Sequence, residues 1–253
     1  MRAVFVDANA TLRALAESLV AERLPALEIA FGPADVEPDA IPALLDGAAI
    51  AWIDHTALPN DVAARCAGLT DLVFLGTGAR SYMDPEALAG LGIAVHLIKG
   101  YGDTAVAEHT IALLFDAARD PRDLGRNSAE ADESERLLAE SEAVSLHLLL
   151  NDETRGFLSR ERIAAMRPGA ILVNTARGAL VDEDAMAEAL RSGKLGHAAL
   201  DVFAVEPLPA GHVLTTLANV TLSAHSAFRT PEANVRLIEA AVEHSARIVG
   251  RSA

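Results

Sequence analysis

KGYGDTAVAEHT, residues 99–110, spells Gly-x-Gly-x-x-Ala with Gly100, Gly102 and Ala105 in place. It follows an apolar run, GIAVHLI, and opens a helical pattern, AVAEHTIALLFDAAR. That is the outline of the turn that holds a dinucleotide diphosphate at a helix N-terminus. Such a turn belongs to a strand–helix–strand unit of about 30 residues, and an acidic residue about 20 positions on meets the ribose at the end of the second strand. Here the helix after Gly102 runs directly into a polar segment. Asp120 and Asp123 stand at about the right spacing, but no second strand presents them. Gly-x-Gly also recurs at Gly76–Gly78 and Gly90–Gly92, so the spacing by itself carries little information. The stretch therefore reads as a glycine hinge between two domains that feeds a connecting helix.

Outward from this hinge the chain alternates strand-like and helix-like runs almost from end to end. Before it come AVFVDA (3–8), LEIAF (27–31), AIAWID (49–54), DLVFLG (71–76) and IAVHLI (93–98). After it come AVSLHLLL (143–150), AILVN (170–174), AALDV (198–202) and NVTLS (219–223). The intervening helices carry their own boundary signals: Asn9 and Asp84 precede helical runs, Ser159 and Asp182 stand as N-caps, Gly193 is a stop, and Thr230–Pro231 opens the last helix. Apolar strands joined by helical crossovers imply parallel sheets covered on both faces, an α/β fold. The rhythm breaks once. The 25 residues 119–143 contain no strand-like run; the front half is a polar linker and roughly Asp132–Glu140 is helical. This segment is the best candidate for a domain boundary.

Composition narrows the function classes. The 253 residues suffice for one large domain or two small ones, and 51% are hydrophobic. No run approaches the length of about 18 apolar residues needed for a membrane span. The first apolar run breaks at Asp7, so MRAVFVDANATLR reads as a first strand and not as a signal peptide. A net charge of −15 argues against nucleic-acid or anionic-membrane partners and for a cytoplasmic protein. One cysteine, Cys66, excludes an internal disulfide framework or a multi-cysteine metal site, and we expect it as a small buried hydrophobe. No metal is expected.

Several long, ordered motifs go further. ILVNTARGALVDEDAMAEALRSGKLGHAALDVFAVEPLPAGH, NVTLSAHSAFRTPEA, VSLHLLLNDETRGFLSRERIAAMRPGA, YGDTAVAEHTIALL and FLGTGARSYMD together resemble the D-isomer-specific 2-hydroxyacid dehydrogenases, a family that includes phosphoglycerate, glycerate and formate dehydrogenases. The resemblance implies a flavodoxin-like substrate domain, residues 1–99 and 231–253, and an NAD-binding Rossmann-type domain, residues 100–230. It implies hydride transfer between NAD(H) and a small 2-hydroxy or 2-keto acid, and a homodimer. By the same resemblance Arg177 grips the substrate carboxylate, a task that suits a planar, always-charged guanidinium. His225 exchanges the proton of the reacting oxygen, which suits an imidazole that titrates near neutral pH. Glu206 orients that imidazole and favours its charged form. These three are expected to face one cleft, with Glu206 within hydrogen-bond reach of His225. Gly76, Gly78, Ala79 and Arg80 match the substrate-side loop, where glycine lets backbone amides approach a carboxylate. His147, Thr154, Asn174, Thr175, Ala176 and Asp201 match cofactor-side positions. Trp52, His55 and the remaining histidines are assigned to packing or surface.

The chain departs from the family in three places. Relatives usually place a small polar or acidic residue where Ala79–Arg80 stands, and many have proline at the position of Leu149. More consequentially, between the connecting helix and AVSLHLLL relatives carry the first strand, the glycine turn, a helix and the second strand. The 25 residues present cannot hold these, since one strand–helix–strand unit needs about 30. Weak or absent NAD binding is thus expected. An alternative function follows: a catalytically inactive paralogue that binds a small carboxylate or pairs with another subunit.

Overall fold

Strands that are apolar throughout need cover on both faces, and the computed structural model contains two parallel sheets of this kind. It describes residues 1–118 and 134–251. The front of the polar linker read from the sequence, residues 119–133, lies outside the described residues. The chain divides into two units, Met1–Gly102 with Thr230–Ala253, and Asp103–Arg229.

In the first unit β1 (Arg2–Phe5), β2 (Glu28–Phe31), β3 (Ile50–Ile53), β4 (Asp71–Phe74) and β5 (Ala94–Leu97) form an all-parallel sheet in the order β2-β1-β3-β4-β5. This is the flavodoxin-like order. Successive side chains on a strand point to opposite faces, and both faces are dry. Ala3, Phe5, Ile50, Trp52 and Val73 pack with α1 (Ala10–Arg23) and with α9 (Pro231–Arg251) on one side. Val4, Ala51, Ile53, Leu72 and Phe74 pack on the other, with α2 (Ile41–Leu44), α3 (Asn60–Ala63) and α4 (Pro85–Gly90). The caps are those the sequence indicates. Asn9 accepts from the Leu12 amide, Asp84 accepts from Glu86 and Ala87, and Thr230 accepts from Ala233. The helices α2 and α3 span four residues each, too short for a helical period to show in the sequence. Cys66 is buried, as expected.

In the second unit α5 (Asp103–Ala117) and α6 (Ser134–Glu140) precede β6 (Ala143–Leu146). Then come α7 (Arg160–Ala165), β7 (Ala170–Asn174), α8 (Glu183–Ser192), β8 (Leu195–Leu200) and β9 (Val220–Leu222). The sheet is parallel and runs β6-β7-β8-β9, each strand beside its chain neighbour. Ser159 and Asp182 cap α7 and α8, and α8 ends at Gly193 in the left-handed conformation. The expected strand 143–150 is shorter than its apolar run. β6 stops at Leu146, and Leu149 is 68% exposed. The reason is local: the Thr154 hydroxyl donates to the Leu149 carbonyl at 2.6 Å, drawing the end of the run into the Asn151–Thr154 turn. β8 begins three residues earlier than expected.

The opening stretch now has its structural reading. β5 lies in the first sheet and the next strand, β6, in the second. The glycines therefore link two units, with Gly100 at φ 77°, and do not turn a strand into a crossover within one sheet. Among the described residues no helix is long and apolar enough to cross a membrane.

Candidate active site

The second unit brings its polar residues together at the carboxyl ends of β7, β8 and β9, where parallel sheets habitually present ligand-binding groups. After β7 the chain turns through Asn174–Arg177. Asn174 is buried and organises this turn by itself: its Oδ1 accepts from the Ala176 amide at 3.0 Å and its Nδ2 donates to the Arg177 carbonyl at 2.9 Å. Arg177 emerges partly exposed, with Nη1 donating to the Ala176 carbonyl at 2.7 Å. Gly178 is required next. A Cβ there would lie 2.0 Å from the Phe203 carbonyl carbon and 2.1 Å from its oxygen, so only glycine lets the 203–206 loop approach the β7 turn.

Glu206 and His225 meet as the sequence leads one to expect, with Nδ1 of His225 2.6 Å from Oε2 of Glu206. The other oxygen, Oε1, accepts from the Phe203 amide at 2.9 Å. Burial opposes ionisation of Glu206. The His225 hydrogen bond, the Phe203 amide and the charges of His225 and Arg177 outweigh it and hold the carboxyl below the ordinary carboxylate range. Arg177 is thus electrostatically part of the same cluster. His225 has φ 47°, the single positive-φ non-glycine residue among the described residues. Its ring meets Phe228 edge-on, with centroids 6.3 Å apart.

The six residues aligned with the cofactor side divide into two groups. Asn174, Thr175 and Asp201 are buried and bonded inside the unit. Thr175 Oγ1 lies 2.8 Å from Thr110 Oγ1. Asp201 is fully buried and accepts from the Ser223 hydroxyl (2.6 Å) and from the amides of Ser226 (3.0 Å) and Ala227 (2.9 Å). His147 and Thr154 are at or near the surface, His147 beside Ser145 at 2.9 Å and Thr154 closing its turn; Ala176 is half-buried. His109 on α5, one of the histidines assigned to packing or surface from the sequence, lies 3.0 Å from Ser223 Oγ through Nε2. It sits within the quoted AEHT, but nothing local announces which strand it meets.

The loop of Gly76, Gly78, Ala79 and Arg80, expected on the substrate side, belongs to the first unit and follows β4. The Gly76 amide donates to the Phe74 carbonyl, Ala79 is buried, and Arg80 is exposed and ion-paired with Glu86.

Among the described residues a nicotinamide dinucleotide would find polar groups at these strand ends for its nicotinamide half, and fewer groups for its diphosphate half. The helices that follow strands in this unit, α7 and α8, each have one first-turn amide taken by the cap, that of Arg162 by Ser159 and that of Ala185 by Asp182. Residues 103–229 contain no Gly-x-Gly-x-x-Gly. Among the described residues no group of His, Cys, Asp or Glu is placed to hold a metal ion.

Known proteins supply the remaining comparison. Residues 103–227 match the NAD binding domain of D-isomer specific 2-hydroxyacid dehydrogenases. A glyoxylate reductase of Aeropyrum pernix is 47% identical over 116 residues, 46% of this chain and 35% of that protein. A hydroxypyruvate reductase of Thermotoga maritima is 38% identical over 167 residues, 61% of this chain and 53% of that protein. The chain thus spans about a third to a half of the length of these curated relatives. Among solved structures, the TT0316 protein of Thermus thermophilus superposes with a TM-score of 0.80 at 30% identity, over 96% of this chain and 95% of that one. The chain belongs to the family of D-isomer specific 2-hydroxyacid dehydrogenases.

Proposed function

We propose that the protein is an NAD-dependent oxidoreductase that interconverts a small 2-keto acid and its 2-hydroxy acid. The observation that carries this reading is the 2.6 Å contact between His225 Nδ1 and Glu206 at the edge of the Arg177 turn. With Nδ1 engaged, Nε2 is the nitrogen left to hand a proton to a substrate oxygen. Arg177 holds the substrate carboxylate, ideally through both oxygens. Glu206 fixes the imidazole's orientation and stabilises the imidazolium that forms when the hydroxy acid is oxidised. Gly76, Gly78, Ala79 and Arg80 are assigned to the substrate side, and His147, Thr154, Asn174, Thr175, Ala176 and Asp201 to the nicotinamide side. Residues 1–99 with 231–253 act as the substrate domain, and 100–230 as the cofactor domain. The nicotinamide supplies the hydride; everything this chain does is to bind, orient and move one proton.

The substrate class is narrowed by relatives named for glyoxylate and hydroxypyruvate. We expect both to serve as oxidants of NADH, followed as loss of nicotinamide absorbance. His225→Gln should reduce the rate by about 10²–10⁴-fold, the usual worth of a positioned acid–base group. Arg177→Ala should raise KM for the keto acid. A rate equal to the unsubstituted protein's in His225→Gln would refute the assignment.

The proposal extends to a cytoplasmic homodimer. Ala107, Ile111 and Phe115 repeat every four residues along α5, which gathers them on one stripe. Ile111 and Phe115 are 52% and 53% exposed. We assign a second copy of the chain to this stripe, since exposed apolar patches mark protein–protein contacts. Light scattering should give a dimer, and Phe115→Glu a monomer.

A further inference from the structure

His225 occupies a backbone conformation that a non-glycine residue does not adopt unaided. A left-handed φ is strained outside glycine and persists only where surrounding bonds impose it. All the bonds that impose it here come from one residue. The backbone carbonyl of Asp201 accepts from the His225 amide at 2.8 Å. Its carboxylate accepts from the next two amides, Ser226 on Oδ1 and Ala227 on Oδ2. The Asp201 amide is itself tied to the Asn174 carbonyl at 2.9 Å, so this residue is a fixed post between the β7 turn and the His225 loop.

The two amides hold one oxygen each, and a third contact on Oδ1 reinforces the carboxylate's orientation. Ser223 makes that contact, donating to Oδ1 at 2.6 Å. A hydroxyl has one proton. Since Ser223 spends it on Asp201, its oxygen can only accept from His109, and Nε2 of His109 must carry the hydrogen. His109 Nε2 is also 3.7 Å from Asp201 Oδ1. The next residue, Thr110, meets Thr175 at 2.8 Å and donates its own hydroxyl to the Val106 carbonyl, which holds this part of α5 against the end of β7. Donors thus converge on the Asp201 carboxylate, from α5 by way of His109 and Ser223 and from the two amides that follow His225.

We infer that His109 and Ser223, acting through Asp201, are positioning residues for His225: they orient the carboxylate that holds the His225 loop in its left-handed turn, and so set the imidazole's contact with Glu206. None of the three needs to touch substrate. A cluster that merely filled space would have its bonds spread over the surrounding core; among the described residues the hydrogen bonds to this carboxylate come from residues 223, 226 and 227. The inference rests on the proposed role of His225 for its functional meaning, but not for its geometry.

The test uses the full chain with nitrogen-15 in its histidine rings and backbone, and needs neither cofactor nor turnover. The parent should show a low-field exchangeable proton on His225 Nδ1, identified by its loss in His225→Gln. In Ser223→Ala and in His109→Leu that signal should broaden or vanish. The amides of Ser226 and Ala227 should exchange about tenfold faster, as loss of one hydrogen bond would produce, while the amides of β7 keep their protection. His109→Gln, whose side-chain nitrogen falls near the imidazole Nε2, should restore both signatures. Ser223→Ala is nearly isosteric and keeps the test available if His109→Leu does not fold. An unchanged low-field proton with unchanged exchange at 226 and 227 in Ser223→Ala would overturn the inference, as would His109→Gln behaving like His109→Leu. Should the parent fail to reduce any keto acid while these signatures move as stated, the dehydrogenase reading fails and the positioning set stands.

Discussion

Glu206 accepts the Phe203 amide on one oxygen and the His225 ring on the other, so protonating it would cost both contacts. Its carboxyl is held below its ordinary value, and the consequence for stability has a definite sign. The unfolded chain binds this proton more readily than the folded one, so stability rises with pH across the interval between the two values. The contribution is complete above the unfolded value of about 4.3 and is lost as pH falls through the lower, folded value. Glu206→Gln should flatten the acid limb of a plot of urea midpoint against pH. An acid limb identical to the parent's would show that the Glu206 contacts are not retained in solution. Cys66 offers an independent check at the same scale. Burial raises its thiol above the usual value, and the thiolate is the reactive form. A disulfide reagent at neutral pH should label it only as fast as the first unit opens, and rapid labelling of the folded chain would contradict its burial.

At the scale of elements, β3 and α9 are joined by a buried polar pair far apart in sequence: Trp52 Nε1 donates to Ser245 Oγ at 2.9 Å, and neither residue is exposed. Ser245 interrupts an otherwise apolar helix face of Ala233, Leu237, Ile238, Ala241, Val242 and Ile248. Ser245→Ala leaves the indole N–H in the core without an acceptor, and should destabilise the chain by about 1–3 kcal/mol. Chemical denaturation measures it; a change below about 0.5 kcal/mol would mean that the indole finds another partner. This pair also marks the limit of what the sequence discloses. Caps at Asn9, Asp84, Ser159 and Asp182 are legible because each acts on amides two or three residues away. The strands are legible because two covered faces leave a continuous apolar run, although the run 143–150 outlasts its strand, since the Thr154 turn competes for its end. Arg177, Glu206 and His225 are legible because each lies inside a long motif. Ser245, His109 and the saturated carboxylate of Asp201 are not, because their partners are fixed only when residues 52 and 245, or 109, 201 and 223, are brought together by folding.

For the whole molecule the decisive feature is the second sheet. In a doubly wound sheet with strand order 3-2-1-4-5-6, the strands carrying the glycine turn and the ribose carboxylate are interior. Here the described sheet ends at β6 and continues β7-β8-β9 in chain order, so the groups that ordinarily meet diphosphate and adenosine have no counterpart within it. GYGDTA cannot replace them. Its glycines precede α5 across a unit boundary, and the first turn of α5 holds Asp103, whose charge competes for the same amides and repels phosphate. Groups at the carboxyl ends of β7 and β8 can orient a nicotinamide but not compensate for the lost anion contacts. Loss of two charge-assisted hydrogen bonds, at about 1.5–3 kcal/mol each, weakens binding by roughly two to four powers of ten. Fluorescence titration of NADH should therefore give a dissociation constant at least about a hundredfold weaker than that of a relative retaining the glycine turn, and turnover should saturate only at correspondingly high NADH. Substituting Gly102 with tryptophan should leave that weak affinity unchanged, because the turn at 100–102 receives no phosphate. Micromolar binding that disappears in Gly102→Trp would reverse this conclusion and return the diphosphate to GYGDTA. Tight binding that appears only when an intact relative is mixed in would assign the missing contacts to the partner subunit.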